Sequence, residues 1–146
     1  MAVLGCALVA AAAGCGGTTA SPQDPRDVRA VVAASDAAFF AGEWKKNCSF
    51  YTAAAQTNIV SFVPGAADNC PDAWRNLHGF LSVRLSSAQL DALRTLTPEK
   101  VEIDGDRATA TYGKLPPSLA GLPVGAPTVS LVRDNGRWLI DSVSLG

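Results

Sequence analysis

Acid–base chemistry is the kind of chemistry for which this chain offers candidate side chains. Such catalysis needs a group that takes a proton and a donor, such as tyrosine, that holds the oxyanion formed. The residue types that fit are Asp36, Tyr51, Tyr112 and Asp141. Asp36 falls within a predicted helix, where we expect it to face solvent. Asp141 follows an apolar residue on a predicted strand, where we expect exposure or a hydrogen bond at the strand end.

The other reactive residue types lack the partners that catalysis requires. His78 is the single histidine, the side chain type that titrates near neutral pH without perturbation. It has no paired nucleophile, because no serine stands in a G-x-S-x-G pattern. The sequence has no glycine pattern for phosphates or dinucleotides, and no CxxC or HxxxH spacing that predicts a metal site. It therefore leans towards a protein without catalytic activity, cofactor or metal.

The N-terminal segment predicts export and lipidation. Residues 1–14 form an uncharged apolar run, which is shorter than the roughly 20 residues that span a bilayer and is typical of a secretory signal. The sequence Ala-Ala-Gly-Cys that ends this run resembles a bacterial lipobox. It predicts a signal peptide over 1–14, a lipidated Cys15 and a flexible tether over 15–24. Cys6 is a poorer lipidation site, because the apolar run continues past it.

Two features of this segment leave other readings open. The run lacks an initial Lys or Arg, and it has Ala where a lipobox usually has Leu. A start site further upstream, secretion without lipidation, and a buried or membrane-associated helix are the alternatives.

Export changes the interpretation of the remaining cysteines. Removal of the signal peptide and lipidation of Cys15 leave Cys48 and Cys70, and two cysteines in an oxidising compartment predict one disulfide. Closing that loop would stabilise the fold by roughly 3 kcal/mol on the chain-entropy model. Two unpaired buried thiols are the alternative.

Composition and charge exclude several classes of protein. The 146 residues allow one domain of ordinary size, and the apolar content of 48% exceeds that of a disordered chain. The 12 basic and 13 acidic side chains leave a net charge of −1. Because no basic excess is present, nothing in the charge indicates a nucleic-acid partner.

Hydrophobic spacing predicts helices in the first two thirds of the chain and strands in the last third. The predicted helices run from Asp24 to about Gly42, over 43–51 and 53–62, from Cys70, and behind an S-x-x-Q capping box at 86–89. Alternation predicts strands over 101–104, 107–112, 128–133 and 138–145, with a hairpin turn at Asn135-Gly136. Helices followed by an antiparallel meander define an α+β fold, whose strands bury one face against the helices.

The order of these elements resembles a known family. The chain reaches Phe-Tyr-Thr at 50–52, and later runs Val-Glu-Ile-Asp-Gly-Asp-Arg-Ala-Thr-Ala-Thr over 101–111. It closes with Leu-Val-Arg-Asp-Asn-Gly-Arg-Trp-Leu-Ile-Asp over 131–141. This pattern resembles exported nuclear transport factor 2-like proteins of actinobacterial type, which share the cone-shaped fold of ketosteroid isomerase and the SnoaL-like cyclases. The resemblance spans residues 25–146.

The resemblance implies a curved antiparallel sheet wrapped around the N-terminal helices as a cone. Family members use the inside of the cone as an active site or a ligand site, or fill it with side chains and pair through the outer sheet. A pocket in this chain would involve the following helical residues: Asp36, Phe40, Trp44, Tyr51, Trp74 and His78. The alternative is that the aromatic residues only fill the core.

We therefore expect a non-catalytic lipoprotein on the outer face of the cell membrane, which binds an apolar small molecule or an envelope protein. A homodimer through the sheet is compatible with the same resemblance. The alternative function is a small-molecule enzyme of the isomerase, dehydratase or cyclase type. No spacing here matches the catalytic set of the isomerase, so none of its roles is transferred to a residue of this chain.

Overall fold

The computed structural model describes residues 25–63, 65–120 and 125–146. Five α-helices and four strands occur in these ranges: α1 (Pro25–Phe40), α2 (Trp44–Cys48), α3 (Ala53–Phe62), α4 (Cys70–Arg84), α5 (Ser87–Arg94), β1 (Pro98–Asp104), β2 (Arg107–Tyr112), β3 (Thr128–Asp134) and β4 (Arg137–Ser144). The predicted α+β class is confirmed. The predicted signal peptide, the lipidation site Cys15 and the tether lie outside the described residues. In the described ranges, no helix has the length and hydropathy needed to cross a bilayer.

The four strands form an antiparallel meander in the order β1-β2-β3-β4. β3 and β4 are joined by the predicted tight turn, in which Asn135 and Gly136 have φ values of 48° and 78°. The pairing register shifts near Pro98 and again between Ser130 and Leu131. Such bulges bend the strands in which they occur, so the sheet curves rather than lying flat.

Helix α1 covers the inner face of this sheet. Its buried residues Val28, Val32 and Ser35 recur at spacings of three and four, which places them on one side of the helix. That side contacts β1, β2 and β4. The helix ends where Gly42 adopts a φ of 75°, a conformation that favours glycine. The buried core thus lies between α1, the start of α3 and the inner sheet face.

The second helix is shorter than predicted. It covers Trp44–Cys48 rather than 43–51, and Tyr51 instead forms a parallel bridge with Ile140 of β4. The amide of Ile140 donates to the carbonyl of Phe50 over 2.7 Å, and the amide of Thr52 donates to the carbonyl of Ile140 over 2.9 Å. β4 is the last strand of the sheet, so its outer backbone groups can bond to this segment. The spacing of residues within the segment gives no sign of this distant pairing.

The predicted disulfide is confirmed. Cys48 at the end of α2 is bonded to Cys70 at the start of α4, with a Cα–Cα distance of 6.1 Å. Both residues are buried. The bond therefore fixes the five-residue α2, which is too short to be stable as an isolated helix, against a longer element.

Candidate functional site

A carboxyl–phenol pair lies between α1 and the end of β2. The hydroxyl of Tyr112 donates a hydrogen bond of 3.0 Å to Oδ2 of Asp36. Burial raises the pKa of Asp36 from 3.8 to about 6, although the hydrogen bond from Tyr112 opposes this rise. Burial and the negative charge of Asp36 raise the pKa of Tyr112, so the phenol stays protonated. Burial therefore brings the pKa of Asp36 closer to neutral pH than that of an exposed aspartate.

The position of Asp36 corrects the expectation that it faces solvent. Val28, Val32 and Asp36 follow one another at a spacing of four, so the carboxylate continues the buried row of α1. The side chain is half-buried and directed towards the sheet, where Tyr112 meets it. The i, i+4 row that contains Asp36 was the sequence signal for this position.

A second set of polar groups lies beside this pair in the core. Nδ2 of the buried Asn47 donates to the carbonyl of Ser35 over 2.6 Å and to its hydroxyl over 3.2 Å. The Ser35 hydroxyl donates to the hydroxyl of Tyr51 over 3.3 Å. Burial raises the pKa of Tyr51 to about 12; the Ser35 bond opposes this rise, and the charge of Asp36 adds to it. Tyr51 thus keeps its proton and lies within electrostatic range of Asp36.

Two buried polar atoms near this set have no hydrogen-bond partner among the described residues. They are Oδ1 of Asn47, an acceptor, and Nε1 of Trp74, a donor. The Trp74 ring lies 5.5 Å from the ring of Tyr51, and Asn47 is connected to the same tyrosine through the Ser35 hydroxyl. Unsatisfied buried groups are uncommon in folded proteins, and an ordered water is one partner that can satisfy them.

A cleft of about 240 Å³ opens between α1, the end of α5 and the segment before β1. Its lining residues are Ala33, Asp36, Ala37, Phe40, Arg94, Leu96 and Thr97. The two alanines contribute small side chains to the α1 wall, and Phe40 and Leu96 supply apolar surface. A carboxyl, a guanidinium and a hydroxyl are the polar groups. A mostly apolar cleft with a few convergent polar groups is the usual form of a small-molecule site.

The six residues predicted for a pocket do not share one cavity. Asp36 and Phe40 line the cleft, whereas Tyr51 is buried in the core and Trp74 packs against it. The other two belong to a ring cluster, in which the His78 ring lies 5.3 Å from the Trp44 ring and 5.6 Å from the Phe39 ring. Trp44 also borders a separate open groove of about 470 Å³ beside Lys45, Lys46 and Arg75.

Asp141 has a structural role rather than a place in the cleft. It is the extra residue of the β4 bulge, since Leu131 pairs with Ile140 and Ser130 pairs with Ser142. Its Oδ1 accepts a hydrogen bond of 3.1 Å from the Thr52 hydroxyl. The same hydroxyl caps α3 by accepting from the amide of Ala55. The expected hydrogen bond of Asp141 is thereby present.

Sequence reasoning missed the cleft residues outside α1 and the polar partners inside the core. Arg94 and Thr97 are exposed residues near the end of α5, and nothing in their local pattern distinguishes them from solvated side chains. Ser35 and Asn47 are polar residues that helical segments commonly carry. Within the described residues, no cluster of three or more His, Cys, Asp or Glu could hold a metal ion. The carboxyl, guanidinium and hydroxyl groups that line the cleft can form hydrogen bonds with an organic ligand.

Comparisons with known proteins give a structural likeness. No protein-family model matches the chain, and no curated protein matches it in sequence. Its structure is similar to that of an NTF-2-like protein of unknown function from Shewanella oneidensis, with a TM-score of 0.45. The two share 15% sequence identity, and the match covers 81% of this chain and 94% of that chain. These values assign neither a family nor a function to the chain.

Proposed function

We propose that the chain is a membrane-tethered extracytoplasmic protein that binds a small molecule in the Asp36 cleft. One observation carries this proposal: a half-buried carboxylate lines a cleft and is held by a tyrosine instead of a basic side chain. Removing a carboxylate from water without a cationic partner costs stability. A fold retains such a group most readily where the group serves a ligand.

We propose further that the domain has the nuclear transport factor 2-like cone fold. The order of helices and meander, the position of α1 across the inner sheet face, and the strand bulges support this assignment. Polar side chains inside the cone, such as Asp36 and Tyr112, are compatible with a ligand site there. Pairing of two copies through the outer sheet stays a prediction, which analytical ultracentrifugation tests.

The ligand proposal is tested by screening small molecules for thermal stabilisation of the purified chain. Compounds that stabilise the wild type are titrated against Asp36→Asn and, as a matched control on the same helix, Asp27→Asn. We expect Asp36→Asn to weaken binding by about tenfold or more, because a hydrogen bond to a charged group is lost. Asp27 is exposed and lies outside the cleft, so its variant should bind normally. Equal binding by Asp36→Asn would place the ligand elsewhere.

The membrane tether is supported by the apolar leader, the lipobox-like residues that end at Cys15, and a disulfide compatible with an oxidising compartment. Expression of the full chain in a bacterial host tests it by fractionation and mass spectrometry. We expect Cys15→Ala to lose the lipid mass and leave the membrane fraction. Cys6→Ala is the matched control and should retain both. Membrane retention of an unmodified Cys15→Ala protein would contradict lipidation.

A second candidate function is acid–base catalysis of the isomerase, dehydratase or cyclase type. The pairing of Asp36, whose pKa is about 6, with a protonated Tyr112 favours it, because acid–base catalysis needs a base and a hydroxyl donor close to each other. Deuterium uptake from D₂O at the carbon next to the carbonyl of ketone probes, followed by NMR, measures such proton abstraction. The rate should rise with pH through about 6, where Asp36 ionises. An unchanged rate in Asp36→Asn would exclude Asp36 as the base.

A further inference from the structure

The Asp36 cleft contains two groups of opposite charge that do not neutralise each other. Asp36 accepts a hydrogen bond from Tyr112, and no ion pair joins it to any basic residue in the described ranges. Arg94 instead pairs with the exposed Asp91 at 3.3 Å, and its guanidinium lies 5.4 Å from the centroid of the Phe40 ring. The cleft therefore has a carboxylate in its wall and a guanidinium at its rim, each available to a separate group of a ligand.

The environment of Asp36 defines one end of that ligand. Burial dominates the rise in the pKa of Asp36, and no positive charge in the part of the chain that the structure describes lowers it. An ammonium group would supply the missing cation and form a charge-assisted hydrogen bond with the free oxygen, since Tyr112 occupies Oδ2. A ligand carboxylate at the same position would be repelled by the negative charge of Asp36.

Arg94 defines the other end. The side chain is about half exposed, and its partner Asp91 is more exposed, so water screens their ion pair and it contributes little. A planar guanidinium can exchange such a partner for a ligand carboxylate and bind it through two parallel hydrogen bonds. Phe40 and Leu96 supply apolar contact for a short carbon chain in the same cleft.

The size of the cleft restricts the ligand to a small molecule. Its volume of about 240 Å³ lies below the roughly 300–1,000 Å³ of pockets for drug-sized ligands. We propose that the ligand is a small zwitterion, whose ammonium group binds Asp36 and whose carboxylate binds Arg94. This inference rests on the small-molecule site proposed above. A ligand with a single charged group would contact Asp36 or Arg94 but not both.

A chain-length series tests this proposal on the purified full chain. The probes are the ω-amino acids from glycine to 6-aminohexanoate, and the matched single-charge probes are butylamine and butyrate. Binding is measured by calorimetry, and the site is located by NMR shifts of the cleft residues. We expect one length to bind about tenfold tighter than either single-charge probe, as a second charge-assisted contact provides. The length that binds best reports the separation of the two charges.

Two variants connect that affinity to the named groups. Asp36→Asn and Arg94→Gln should each reduce the preference for the zwitterion over the single-charge probes by about tenfold. Arg84→Gln is the control, because Arg84 lies over the Phe80 ring at 5.2 Å in the same way but outside the cleft. An unchanged preference in Arg94→Gln would overturn the role of Arg94.

The remaining outcomes separate this proposal from the proposed function. Equal binding of butylamine and the zwitterions overturns the zwitterion class but keeps a ligand site at Asp36. Failure of the whole series also overturns it, and hits from the general screen that depend on Asp36 would then still support a small-molecule site. If those hits are also absent or independent of Asp36, the proposed function fails as well.

Discussion

Replacing Asp36 by asparagine should make the protein more stable at neutral pH and leave its stability almost unchanged in acid. The folded state raises the pKa of Asp36 from 3.8 to about 6, which means that folding favours the protonated carboxyl. Stability from this group is fully present below pH 3.8 and is lost as the pH rises through about 6. The asparagine side chain does not titrate, so the variant should not show this loss.

The size of the effect follows from the shift. A rise of about two pKa units corresponds to about 3 kcal/mol, at about 1.4 kcal/mol per unit. Oδ1 of an asparagine can still accept the hydrogen bond from Tyr112, so that contact need not be lost. We therefore expect Asp36→Asn to unfold with a free energy up to about 3 kcal/mol higher than that of the wild type at about pH 8. The difference should fall to about 0.6 kcal/mol near pH 4 and approach zero below about pH 3.

Urea denaturation at a series of pH values measures this difference. Unfolding is followed by tryptophan fluorescence, to which the buried Trp138 contributes. Contributions of the other carboxyl groups cancel in the difference between the two proteins. The exposed Asp104→Asn is a matched control, and its difference from the wild type should stay flat across the range. A pH-independent difference for Asp36→Asn would refute the reasoning.

The remaining predictions concern the contacts that hold the domain together. Replacing both Cys48 and Cys70 by alanine should lower the free energy of unfolding by about 3 kcal/mol, as measured by urea denaturation, because the disulfide spans 22 residues. Thr52→Val removes the α3 cap and the bond to Asp141, and should cost about 2 kcal/mol in the same assay. Leu119→Ala, at a fully buried position, should cost about 2–5 kcal/mol.

Matched substitutions at exposed sites control for the chemistry of these changes. Thr57→Val removes an exposed hydroxyl that bonds only within its own helix, and Val83→Ala shortens a side chain that is 85% exposed. Both should change stability by less than about 0.5 kcal/mol. If Thr52→Val or Leu119→Ala behaves like its control, the corresponding contact does not stabilise the fold.

Local patterns predicted most of the fold because its elements carry strong end signals. Thr52 caps α3, the box of Ser86 and Gln89 caps α5, and Asn135-Gly136 forms the tight turn between β3 and β4. Each signal acts within a few residues, so the sequence alone displays it. The second helix was predicted to be too long, because local patterns do not show pairing between distant residues. Tyr51 forms a bridge with Ile140, 89 residues further along the chain, instead of continuing the helix.

The site was harder to predict because its pairs are distant in sequence. Tyr112 lies 76 residues from Asp36, and the pairing depends on how β2 is placed against α1. The sequence identified both residue types but could not bring them together. Ser35 and Asn47 are closer, at 12 residues, yet their contact depends on the reversal of the chain at Gly42. Binary patterning decides which face is buried, and it does not decide which polar groups meet there.

The disulfide and the half-buried carboxylate of Asp36 have opposite effects on the stability of the domain. At neutral pH the ionised Asp36 costs about 3 kcal/mol, which is a large share of the 5–15 kcal/mol that stabilises a typical domain. The Cys48–Cys70 bond contributes about the same amount in the opposite direction. It also fixes the short α2, whose Asn47 holds Ser35 beside Tyr51. If this bond were reduced, the domain would retain its polar interior only with a much smaller margin of stability.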